Sequence, residues 1–540
     1  MDGHIQAEQR SSRGIELLAV LGLALYLVIF GIINFKYLAC FADGDIYSDT
    51  LVAREMWQQK TIFPEGWIFG NQYYVIATPV LAAIFYGLTG RMNLAMALAT
   101  ELMGILELLC LDRMLCPLTA RRDFRLCALL LFAAAPMGTA IVSEPQGQLF
   151  FVLASYYACY AVTLFFVLGD YIRARRNPEA VRPASLTVSL LLCFATGMQS
   201  LRQTAVMILP LLALQALGLL RHLVRRETLF PRAERAGWIR AALYAAANLA
   251  GCLLIRALGI PSMSIYMDNA LATDGMAQRL RALWVALRGI SGLDAVQFGA
   301  AGVVFLLFFV FQLILILCAM LQVAGKLRRG LDGAQLLWLF CLLSLLGVLL
   351  AGLLIQIKMR AIYLFVWYLW VVLSLLLVLN REPEESKQRA ASGRLRRLAA
   401  AAACILAVVN LPASYGGSLR QAREEDYSAK LALVEDAKAA GVEYIYGDWM
   451  FAPSYLALSD GALTGGFWDD ILLNVNEGIN LQNIYSEEDN EKALYLVNDW
   501  NHDYFLELTE EMGATVSLFG EYGFCTAWRS DRQLMNFDNR

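Results

Sequence analysis

Long apolar runs separated by short, arginine-bearing polar segments dominate the chain. They lie near 15–37, 92–112, 126–141, 148–169, 185–199, 203–220, 241–258, 295–325, 333–354, 361–380 and 398–412. Such runs match helices crossing a hydrocarbon core of roughly 30 Å. Taken as one helix, Ser185–Leu220 would reach about 54 Å, so the polar GMQSLRQ, Gly197–Gln203, predicts a break into two. Tyr73–Thr89 is shorter, contains Pro79, and leaves only Gly90–Arg91 before the next run. If it spanned, the clusters Arg121/Arg122/Arg125, Arg173/Arg175/Arg176, Arg221/Arg225/Arg226 and Arg394/Arg396/Arg397 would all fall outside. The preference of basic loops for the cytoplasm therefore places it at, or dipping into, the outer leaflet. Eleven spans follow, with the N-terminus cytoplasmic and the C-terminus extracytoplasmic. In the long loop 259–294, Leu280, Leu283, Trp284 and Leu287 form one stripe among arginines, predicting a helix in the interface plane.

After residue 412 the pattern changes. Residues 425–440 read as a helix stopped by Gly441, VEYIYG as a strand, and 451–459 as a helix. ATVSLFG and FCTAWR read as strands joined by GEYG. The prediction is a membrane domain, 1–412, followed by a small extracytoplasmic α/β domain, 413–540. Charge agrees, since 413–540 holds 23 of the 47 acidic and 8 of the 44 basic residues. Over all 540 residues, 59% are hydrophobic and 17% charged, with mean hydropathy +0.53, which excludes an ordinary soluble protein. Of the 11 cysteines only Cys525 lies in the acidic domain, so no disulfide framework forms within it, and no C-x-x-C suggests zinc. Gly14–Phe35 reads as a signal anchor rather than a cleavable leader.

Candidate chemistry begins in FADGDIYSDTLVAREMW, Phe41–Trp57, with Asp43, Asp45 and Asp49 directly after the first span. Asp45-Ile-Tyr-Ser-Asp-Thr-Leu-Val-Ala53-Arg54-Glu55-Met56, followed by the Pro79 segment, resembles the opening of the GT-C superfamily. These multi-pass transferases use polyprenyl-phosphate sugars and include the lipid A aminoarabinose transferase and protein O-mannosyltransferase family. Ile46 and Asp49 depart from the family pattern, which has a second acidic residue and a tyrosine there. Ser200-Leu-Arg-Gln203 occupies the place of a G-L-R-Q-type break in looser relatives. The resemblance implies a GT-C-like fold and glycosyl transfer from a polyprenyl-phosphate sugar, with Asp45 as base and Asp43, Asp49 or Glu144 supporting. It also implies that Arg202, Gln203, Arg360 and Tyr363 hold the donor, and Lys358, another external cation that interrupts apolar sequence, is a candidate beside them.

The residues have their own logic. Transfer to a hydroxyl needs a base for the acceptor proton and donors for the departing phosphate. A lipid-linked donor confines its phosphate to headgroup depth, where Asp45 falls. Arginine's planar fork suits phosphate, and basic groups at outer helix ends oppose the positive-inside bias. The competing readings are carboxylates solvating a helix end and cations reaching lipid headgroups. Glu144 alone makes no metal site, so no metal or other cofactor is expected. The domain's aromatics, among them Tyr446, Trp468, Trp500 and Trp528, fit a core as well as a sugar platform. Expected partners are membrane lipid, the lipid-linked sugar and a glycan, lipid or protein acceptor, with no nucleic acid. A transporter or flippase is the alternative function, yet mid-span charges are few (Glu101, Glu107 and Arg256) and no internal repeat is visible. A non-catalytic glycan-binding subunit is the third.

Overall fold

The computed structural model describes residues 2–37, 44–70, 72–138, 145–151, 154–177, 183–226, 232–262, 275–297, 299–327, 330–355, 359–381, 386–424, 428–448, 451–468, 487–523 and 525–534. Among these, eight helices are long and apolar enough to cross a membrane. They are Arg13–Lys36, Met92–Leu115, Thr204–Arg225, Glu234–Leu258, Ala300–Lys326, Gly333–Leu354, Ala361–Leu379 and Gly393–Gly417. The three remaining apolar runs are helical too. Arg122–Ala134 has 13 residues, Pro183–Gln199 has 17, and Ala154–Arg176 ends in three arginines. Thr78–Thr89, with 12 residues, reaches about 18 Å and is too short to cross. The expected break is present: one helix ends at Gln199, and the next opens at Thr204 as a π-helical segment running into Leu209–Arg225.

The chain divides into two compact units. The first comprises Met1–Ile32, Met103–Ala257 and Tyr266–Leu419; the second, Ile33–Leu102, Leu258–Ile265 and Arg420–Arg540. The segment after the first span therefore belongs with the C-terminal domain. Position 412/413 falls inside one continuous helix, Ser386–Glu424, which carries Pro412 within it.

In the first unit, Val366–Leu379 is buried along its whole length, because apolar neighbours surround a helix that is apolar on every face. Ser374 Oγ accepts from Trp338 Nε1 at 2.9 Å and donates to the Trp370 carbonyl, and Trp367 Nε1 donates to Gln312 Oε1 at 2.9 Å. Helices Pro183–Gln199 and Arg232–Leu258 cross in backbone contact. A Cβ on Gly197 would lie 2.1 Å from the Asn248 carbonyl oxygen, and one on Gly251 would lie 2.0 Å from that of Phe194. Asn248 ties the crossing, donating to the Cys193 carbonyl at 3.0 Å and accepting from Thr204 Oγ1 at 2.5 Å. Away from it, the fully buried Asp170 accepts from Ser185 Oγ and Tyr244 Oη, each at 2.6 Å, and pairs with Arg240 at 3.5 Å. Arg113 Nη2 reaches the same Ser185 hydroxyl at 2.6 Å. One carboxylate thus joins helices Ala154–Arg176, Pro183–Gln199 and Arg232–Leu258. In the loop-region helix Met276–Ser291, Leu280 and Trp284 stand more than half exposed while Leu283 is buried, so the predicted stripe is shared between the protein and its surroundings.

The second unit's C-terminal part is an α/β sheet of order β2-β1-β3-β5-β4. The strands are β1 Tyr444–Asp448, β2 Thr464–Trp468, β3 Ala493–Asn498, β4 Val516–Tyr522 and β5 Cys525–Ser530. β2, β1 and β3 are parallel, and β5 and β4 continue antiparallel. Tyr446, Trp468 and Tyr495 project to one face against Phe505 of the helix His502–Glu511, so these aromatics are core. Trp500 is not, at 76% exposure. GEYG forms the end of β4 and its turn, Gly523 taking φ +71. Burial in this sheet pushes the Cys525 thiol up to about 12. Maleimide should therefore label Cys525 about a thousandfold more slowly in native protein than after unfolding, read by mass spectrometry.

Candidate functional site

Three separated segments of the first unit meet at Tyr157, near the start of the helix Ala154–Arg176. The first is the 200–203 break, whose Arg202 guanidinium lies 5.2 Å from the Tyr157 ring centre. The second is the turn Ala361–Leu364, which places the Tyr363 ring 6.2 Å away, with Phe365 at 6.0 Å. The third is the tyrosine's own helix, from which Tyr160 Oη pairs with Ser200 Oγ at 2.6 Å. Ser200 Oγ also accepts the Arg202 backbone N–H at 3.2 Å, which fixes the break locally. Arg360 is extended and exposed at the mouth of the turn, its carbonyl accepting the Tyr363 N–H at 3.2 Å. The Tyr157 hydroxyl is buried with no hydrogen-bond partner among the described residues. Gln203 is fully buried; its amide donates to Met207 Sδ at 3.1 Å, and its carbonyl oxygen has no partner among the described residues.

The arrangement sets the Arg202 guanidinium beside a buried phenol and against the turn that Arg360 opens, and guanidinium and phenol are donors suited to an oxyanion. Arg202, Gln203, Arg360 and Tyr363 come from sequence positions 160 residues apart. Tyr157 was missed by the sequence reading. The only signal was the aromatic spacing in SYYACY, which ordinary core packing also produces.

In the second unit, Asp45 is the second residue of the helix Gly44–Gln59. Its side chain lies outside the described residues, as do Asp43, Glu144 and Lys358. Asp49, one turn later, is 1% exposed and accepts a hydrogen bond from the Tyr74 hydroxyl. That carboxylate is enclosed rather than solvated. Trp57 on the same helix packs over Gly87 of Thr78–Thr89, where a Cβ would meet the indole at 2.2 Å. The proline-bearing helix is therefore seated on the Asp helix.

The two mid-span glutamates differ. Glu101 accepts from Asn34 Nδ2 at 2.9 Å, while Glu107 is fully buried with neither oxygen hydrogen-bonded among the described residues. No group of three or more His, Cys, Asp or Glu is placed to hold a metal ion among the described residues.

No family model matches the chain, and no curated protein matches it in sequence. Solved structures do. ArnT from Cupriavidus metallidurans in the apo state superposes with a TM-score of 0.55 at 12% identity, over 95% of this chain and 97% of that one. The same protein bound to undecaprenyl phosphate gives 0.52 at 13%, over 96% and 98%. The likeness runs through the membrane helices and the C-terminal domain together. This chain has the ArnT fold, the GT-C-like architecture that the Asp45–Met56 motif leads one to expect.

Proposed function

We propose that this chain is an integral-membrane glycosyltransferase. It moves a sugar from a polyprenyl-phosphate donor to an acceptor on the extracytoplasmic face, with the N-terminus cytoplasmic and the acidic C-terminal domain extracytoplasmic. The observation that supports this reading is the meeting at Tyr157 of Arg202 with the turn that Arg360 opens and Tyr363 belongs to. The ArnT structure that holds undecaprenyl phosphate supports a lipid-phosphate ligand.

In the proposed mechanism, Arg202 and Arg360, with Lys358 and Gln203, bind the donor phosphate. As the bond from C1 to the phosphate oxygen breaks, negative charge grows on that oxygen, and the guanidinium groups stabilise it. Asp45 accepts the acceptor hydroxyl's proton as the new bond to C1 forms. Nothing in this division of labour requires a metal. The acceptor is a glycan, lipid or protein hydroxyl, and the buried Asp49 supports the helix that carries Asp45.

The test is transfer of radiolabelled sugar from a panel of polyprenyl-phosphate sugars in membranes. Arg202→Ala should raise the donor KM by about tenfold to a hundredfold, the worth of a charge-assisted hydrogen bond. Arg202→Lys should recover part of the loss, since charge remains and the fork is gone. Wild-type membranes that transfer from no donor would overturn the reading.

A further inference from the structure

The helix Met92–Leu115 begins without a cap of its own. The amides of Met92, Asn93 and Leu94 have no intrahelical acceptor; the flanking Arg91 side chain cannot accept, and the Arg91 carbonyl takes the Ala95 N–H at 3.0 Å. Thr89 Oγ1 is occupied by the Phe85 carbonyl and the Arg91 N–H. The acceptor arrives from 368 residues along the chain: Asp460 Oδ1 takes the Met92 N–H at 3.0 Å.

Asp460 sits in a rigid turn. Ser459 Oγ accepts from Gly461 N at 3.3 Å and Leu463 N at 3.0 Å, and donates to the Leu456 carbonyl at 2.7 Å. Asp460 and Gly461 both take left-handed backbone, φ +52 and +93, a conformation that glycine, asparagine and aspartate adopt most readily. The Gly461 carbonyl accepts from Arg54 Nη2 at 3.4 Å, and a Cβ on Gly461 would lie 3.1 Å from Arg54 Nε. Arg54 belongs to the helix Gly44–Gln59, which also packs on Ala452–Leu458, the helix leading into the turn. Three consecutive residues of the C-terminal domain thus hold the Asp45 helix and the start of a membrane span together.

We propose that the turn Ser459–Gly461 is a clamp that sets the position of the Asp45 helix, with Asp460 and Arg54 as positioning residues. The C-terminal domain is then a working part of the support for Asp45 rather than an appendage. The clamp's effect on catalysis rests on the proposed transfer reaction; the clamp itself does not. It should influence turnover and not donor affinity, because Arg202 and Arg360 belong to the other compact unit.

The experiment compares Asp460→Gly with Asp460→Asn in full-length protein in nanodiscs. Glycine keeps the left-handed backbone and removes the cap; asparagine keeps both. Backbone hydrogen exchange over Met92–Ala95 should quicken by about tenfold in Asp460→Gly and stay at the wild-type rate in Asp460→Asn. With the best donor, Asp460→Gly should lower kcat by about tenfold at unchanged donor KM, and Asp460→Asn should restore it. Wild-type exchange in Asp460→Gly, or equal damage from both substitutions, overturns the clamp. Quickened exchange confined to Asp460→Gly, in a protein whose wild type transfers no sugar, supports the clamp and sinks the transfer reaction instead.

Discussion

Asp45→Asn is expected to reduce sugar transfer by about a hundredfold to ten-thousandfold, the range a positioned general base contributes. Asparagine matches aspartate in size but cannot take a proton at neutral pH, so the loss should fall on kcat while donor KM changes by no more than about threefold. Asp49 is poorly placed to substitute, since its carboxylate is enclosed and already bonded to the Tyr74 hydroxyl. Asp49→Asn keeps an acceptor for that hydroxyl and should cost far less activity. The comparison needs the two variants at matched expression in membranes with labelled donor. Equal turnover in Asp45→Asn and wild type would remove Asp45 from the mechanism.

The second large effect concerns stability. Asp170→Ala should destabilise the membrane bundle by about 3–5 kcal/mol, the cost of removing one partner from a buried ionic group. The loss is large because one carboxylate satisfies Ser185, Tyr244 and Arg240 from two other helices; of these Ser185 keeps its bond from Arg113, while Tyr244 and Arg240 would lose their buried acceptor. Asp170→Asn keeps the oxygen acceptor and should lose less. Thermal unfolding in detergent, followed by the fraction remaining monodisperse, reads the difference. A melting temperature unchanged in Asp170→Ala would mean that water or a neighbouring side chain replaces the carboxylate.

Much of the fold was legible because a bilayer leaves few options for a backbone. Run length located the apolar helices, eight of them long enough to span, and the 12-residue helix within Tyr73–Thr89 is too short by the same length argument. The strands β2 and β3 were not legible. TGGFW carries two glycines where β-branched residues would signal a strand, and ALYLVN is apolar on both faces, so neither alternates. At the candidate site, Arg202 and Arg360 stood out because each interrupts apolar sequence. Tyr157 did not, since an aromatic in a membrane helix is unremarked until its neighbours in space are known. Nor could any local pattern pair Asp460 with Met92, because a cap borrowed from another element leaves no trace within the segment it caps.

The crossing at Gly197 and Gly251 has a consequence for how this protein can change over generations. Lipid-facing positions accept almost any apolar residue, so most of each span is free to drift. At these two positions even a methyl group would collide with a main-chain carbonyl, and main chain cannot yield as a side chain can. Gly197 lies two residues before the end of its helix, immediately ahead of the turn that presents Arg202. The freedom of the spans therefore ends where two backbones touch, and that contact fixes the end of the helix from which the arginine's turn departs.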